Sequence, residues 1–225
     1  MNLIKIKVIK MSGIKKDHFQ LAASQVTGRL HLFDAILRIG VFGMLWGLVE
    51  AMLGETLKAA YVPFSGAILT GLAALIFLTG RYFVQVQGTI ILMSMVAALV
   101  KLTATGMVVN CAVSAILMEG LFAEIFVFFL GVNRRSYLIT AIMLLLYSVM
   151  HPFIYAGFIY GVSSEQIFQR VIAETALLLR LENPQLGLVM PLFLGINILF
   201  GLFTGWLAYY FPTFAEKRLS KRSKK

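Results

Sequence analysis

From about residue 35 to residue 211 the chain alternates long apolar runs with short polar breaks, and this pattern predicts six membrane-crossing helices. Each run has roughly 20 mostly apolar residues, enough to cross a hydrocarbon core about 30 Å thick, and none shows the two-residue alternation of a barrel strand. Helix 1 is expected from about Ala35 to Gly54, and helix 2 from Pro63-Phe64-Ser65-Gly66 to near Gly80-Arg81. Helix 3 follows from about Gly88 to Gly106, helix 4 from Ala112 to Leu130, helix 5 from Tyr137 to Gly161 and helix 6 from Leu188 to Tyr210. Glu55 and Lys58 fall in the first connecting loop, and Asn133-Arg134-Arg135 in another. The predicted fold class is an all-α integral membrane bundle of six transmembrane helices.

Three segments break the apolar pattern. Residues 1–34 mix Lys with Ile, Leu and Val, which predicts a partly amphipathic lead-in lying on the membrane surface. Its lysines leave no uninterrupted apolar core of the kind a cleaved signal peptide needs. Between helices 5 and 6, Gln166, Gln169, Arg170, Glu174 and Arg180 interrupt the run, while Ile167, Phe168, Val171, Ile172, Leu178 and Leu179 share one face. Ser163 with Gln166 forms a capping-box start and Asn183-Pro184 a stop. An external amphipathic helix able to act as a lid is expected there. Residues 212–225 read as a basic tail.

Polar groups inside the spans carry the candidate chemistry. Lys101 lies nine residues before Asn110 and Glu119 nine after it, so an antiparallel hairpin turning at Asn110 puts both about 13 Å from the turn. An ammonium and a carboxylate at one depth either pair with each other or read complementary groups of a ligand. Glu50 borders a small-residue stripe of helix 1, and Tyr147, His151 and Tyr155 share a face of helix 5 beside Pro152, whose missing N–H predicts a kink. Asn197 lies on a small-residue face of helix 6. The expected substrate-binding residues are therefore Glu50, Lys101, Glu119, Tyr147, His151, Tyr155 and Asn197. Glu124 sits about 140° around the helix from Glu119 and is set apart as a structural partner or subunit contact.

Composition places these helices in a membrane. Of 225 residues, 60% are hydrophobic and 13% charged, and the mean hydropathy of +0.87 lies outside the soluble range. The net charge of +10 raises nucleic acid as a partner. The basic residues, however, cluster at the two ends and in alternate loops, as topology signals and lipid contacts do. Only Lys58, Arg170 and Arg180 fall on the opposite side, which predicts a multi-pass protein of the cell inner (plasma) membrane with both termini cytoplasmic. On that topology the polar groups lie in the outer half of the membrane. Cys111 is the only cysteine, so an intrachain disulfide and a cysteine-based zinc site are excluded, and no metal or cofactor is expected. No phosphate-binding Gly-rich loop, nucleophile elbow or His-Glu-x-x-His pair occurs.

The size, six apparent helices, the Gly43, Gly47, Ala51 stripe and the LMEGLFAEIF run of helix 4 together resemble the substrate-binding S components of energy-coupling factor (ECF) vitamin transporters. The resemblance covers about Ala35 to Tyr210, and helix 1 carries Gly where the family usually has an Ala pair. It implies capture of a small vitamin-like metabolite from outside, with Gly43, Gly47 and Ala51 as a subunit-coupling surface. It also implies a separate transmembrane scaffold subunit and cytoplasmic ATPases as partners. A membrane enzyme using Glu119 or His151 for acid–base chemistry on a lipid, and an assembly subunit without a ligand, are the competing readings.

Overall fold

The computed structural model describes residues 2–60, 62, 64–108, 110–157, 161, 163–180 and 186–223. Among them every regular element is helical: α1 (Asn2–Ala59), α2 (Ser65–Phe83), α3 (Thr89–Ala104), α4 (Cys111–Leu130), α5 (Arg134–Pro152), a π-helical turn (Phe153–Gly157), α6 (Ser164–Leu179) and α7 (Leu186–Ser223). Five segments are long and apolar enough to cross a membrane: His31–Ala59, Ser65–Phe83, Cys111–Leu130, Arg134–Tyr155 and Gly187–Ala215. The 16 residues of α3 rise only about 24 Å. The chain thus has five to six apolar helices, the make-up of a multi-pass membrane protein.

Two compact units are formed, Met1–Arg38 and Ile39–Lys225. In the first, Asp34 and Arg38 pair at 2.9 Å across one helical turn. In the second, Trp46, Phe77, Ile90, Met93, Ile116 and Leu144 belong to one buried cluster. Small residues set the helix spacing there. A Cβ on Gly43 would lie 2.7 Å from the carbonyl oxygen of Met93, and one on Gly47 2.6 Å from Val100 Cβ, so α1 and α3 approach at a distance only Gly permits. Gly205 meets the carbonyl of Tyr137 in the same way, at 2.6 Å.

Local chemistry fixes the helix ends. The Asn110 side chain accepts from the backbone N–H of Ala112 and of Val113, starting α4, and Asn133 accepts from Ser136 N–H to start α5. Ser163 accepts from Gln166 N–H, as the capping-box reading expects. Glu124 is structural: its two oxygens accept from the N–H groups of Gly88 and Ile90, both at 2.8 Å, and so cap α3 from the neighbouring helix.

Several boundaries differ from those expected. Helix extends on both sides of the expected start at Ala35, as α1 is assigned from Asn2 to Ala59; no proline occurs before residue 63 to stop it. Glu55 and Lys58 therefore lie on α1 rather than in a loop. Helix 3 ends at Ala104, short of Gly106. Helix 5 ends at Pro152 and passes into the π-helical turn, which accommodates the carbonyls that a proline cannot partner. In the basic tail, α7 continues as helix through Ser223. Arg180, in a left-handed conformation, ends α6; Asn183-Pro184, Pro63 and Phe158–Tyr160 lie outside the described residues. Phe64 N–H donates to Glu174, tying α6 to the start of α2.

Candidate functional site

Lys101 is wholly buried, at 0% exposure. Its Nζ lies 3.0 Å from Glu55 Oε1 and 4.0 Å from Glu50 Oε1, and it donates to the backbone carbonyl of Glu50 at 3.3 Å. The local sequence explains the cluster. Gly47 brings α3 against α1, and Gly54 leaves room beside the charges: a Cβ there would meet Glu50 Oε1 at 2.9 Å and Lys101 Nζ at 3.6 Å. Glu50 is 5% exposed, whereas the Glu55 side chain is 61% exposed. An ammonium taken out of water needs this counter-charge, and one of its two carboxylates remains at the surface.

Glu119 is also buried, and its Oε1 accepts from the Thr70 hydroxyl at 2.6 Å. Among the described residues no ion pair joins it to Lys101, so of the two readings of these groups the pairing across the hairpin is not the one seen. The reason is depth. Lys101 stands three residues from the end of α3 and Glu119 eight from the start of α4, or about 5 Å and about 12 Å along their helices. Equal counting from Asn110 assumed helix up to the turn, but residues 105–108 are not helical.

Tyr147, His151 and Tyr155 come together as their shared face requires. His151 Nδ1 is 2.8 Å from Tyr147 Oη, and its Nε2 is 3.1 Å from Cys111 Sγ. Tyr155 stacks on the imidazole at 5.7 Å between ring centroids, and Phe122 packs on Tyr147 at 4.9 Å. Both imidazole nitrogens therefore have a partner, and α4 supplies one of them. Among the described residues no three His, Cys, Asp or Glu side chains gather as a metal site would need.

Asn197 is buried at 1% exposure; its Nδ2 donates to the Phe193 carbonyl, while its Oδ1 has no partner among the described residues. Trp46 Nε1 is likewise buried and without a partner among them. Gly43 and Gly47 are buried against α3 of the same chain, and Ala51 is half-buried. The two glycines of the expected subunit-coupling surface are thus used inside the chain, because a glycine face accepts the nearest helix first.

Sequence reasoning missed three contributors. Glu55 was legible from the absence of any breaker before Pro63, which puts it on α1 about a turn and a half beyond Glu50. Cys111 follows from Asn110 as an N-cap, which makes it the first residue of α4. Thr70 carried no signal, since a hydroxyl on an apolar helix satisfies itself as readily on its own backbone. Comparison of the chain with protein-family models, with curated proteins and with solved structures finds no match to any of them.

Proposed function

We propose that the chain is the membrane-embedded substrate-binding subunit of an ECF-like importer. It captures a small vitamin-like metabolite from the external side, and separate scaffold and ATPase subunits drive release. The observation that carries this reading is the partnering of Lys101. A buried ion pair made only for packing needs one well-placed carboxylate; here the shorter contact, 3.0 Å, is to Glu55, whose side chain is 61% exposed. An exposed carboxylate on a buried ammonium is exchangeable, and an anionic group of a ligand can take its place without stranding the charge. Asn197 Oδ1 and Trp46 Nε1, without partners among the described residues, supply further hydrogen-bonding capacity in the interior. Coupling to a scaffold subunit has to use a face other than Gly43 and Gly47.

The test is retention of a metabolite through purification. Small molecules extracted from the wild-type protein are compared by mass spectrometry with those from Lys101→Ala and Glu119→Ala. One compound present in wild type and lost from both folded variants supports the reading. Equal retention by all three, alongside reduced stability of the variants, makes these residues structural and overturns it.

A further inference from the structure

We infer that Cys111 is a base-assisted nucleophile that takes a long-chain acyl group from an acyl thioester. Nucleophile, base and orienting group stand in series: Cys111 Sγ at 3.1 Å from His151 Nε2, and His151 Nδ1 at 2.8 Å from Tyr147 Oη. A nucleophile within hydrogen-bond reach of a base that a third group orients is the arrangement of covalent catalysis. For Nε2 to accept the thiol proton, Nδ1 carries the ring hydrogen and donates it to Tyr147 Oη, which fixes the tautomer. Phe122 against Tyr147 and Tyr155 against His151 hold both rings in place. The thiol is half-buried rather than sealed.

The class of donor follows from the surroundings. Met107 and Val108 precede the thiol, and Met150 and Ile154 flank the histidine; all four are apolar and exposed. Exposed apolar side chains of this kind suit an alkyl chain better than a polar metabolite, and the step uses no residue of the Lys101 cluster. A thioester is the matched electrophile, because exchange of one thiol for another at the acyl carbon is nearly balanced. In the step, the S–H proton passes to His151 Nε2 and the sulfur forms a bond to the acyl carbon. The carbon–sulfur bond of the donor breaks, and its thiolate leaves with the proton from Nε2. The products are S-acyl Cys111 and the free donor thiol.

Full-length protein in nonionic detergent, incubated with palmitoyl-coenzyme A, provides the test. Cys111 is the only cysteine, so intact mass reports its acylation directly. Wild type is expected to gain one hydroxylamine-labile palmitoyl group, and His151→Gln to do so about 100-fold more slowly. Tyr147→Phe should slow the reaction less and displace its rate–pH profile. Absence of the thioester on wild type, or acylation of folded His151→Gln at the wild-type rate, overturns the inference. Should His151→Gln not fold, Tyr147→Phe decides, since an unchanged rate and pH profile there refutes the relay.

Discussion

Replacing Glu50 or Glu55 with Gln asks whether burial or distance governs the Lys101 cluster. Distance favours Glu55, at 3.0 Å against 4.0 Å for Glu50. Burial favours Glu50, 5% exposed, over the 61% exposed side chain of Glu55. Coulomb's law weighs the two: about 4 kcal/mol at 4.0 Å with an effective dielectric near 20, but about 1.4 kcal/mol at 3.0 Å with a dielectric near 80. Solvent screening and side-chain entropy reduce the second figure further, to about 1 kcal/mol or less. Glu50→Gln leaves a wholly buried ammonium with only a screened partner, and breaking such a pair costs about 3–5 kcal/mol. Glu50→Gln should therefore destabilise the folded protein several times more than Glu55→Gln. Joining Lys101→Met to Glu50→Gln should recover most of the loss, since the buried charge is removed with its partner. Unfolding of the detergent-solubilised protein, followed by the fluorescence of the buried Trp46, measures all three. Equal losses for the two single variants, or no recovery in the double variant, would mean that burial does not rank the two carboxylates.

Other expectations follow from single contacts. Glu124→Ala strands two backbone N–H groups at the start of α3 and should lower stability by about 2–5 kcal/mol, seen as loss of thermal stability in circular dichroism. Gly47→Val drives a side chain into Val100, 2.6 Å from the added Cβ; overpacking predicts about 1–3 kcal/mol of destabilisation in the same assay. Asn110→Ala removes the acceptor for Ala112 and Val113 and should cost about 1 kcal/mol in denaturant unfolding. It should also change the alkylation rate of the adjacent Cys111.

What was legible in the sequence depended on whether a signal was local. Apolar runs located the spans, since their length alone sets them against a bilayer. Asn110, Asn133 and Ser163 mark helix starts through their own side chains. Polar side chains in apolar runs pointed to Lys101, Glu119, Tyr147 and His151, all buried or half-buried. Partner choice was not legible, because it depends on where helices stop and which faces meet. Ending α3 at Ala104 turned Lys101 to α1 instead of Glu119, and extending α1 to Ala59 delivered Glu55 to it. The spacing of Gly43 and Gly47 marks a close-approach face of α1, and within the chain that face packs on α3; spacing alone does not say which helix comes there.

Native mass spectrometry of the unmodified chain, released from its own membranes in a mild detergent, shows whether a ligand is bound. A substrate-binding subunit should appear as folded protein carrying one small metabolite per chain, lost when Lys101 is replaced by Ala. Folded protein found only at its bare mass in every preparation would rule out ligand binding.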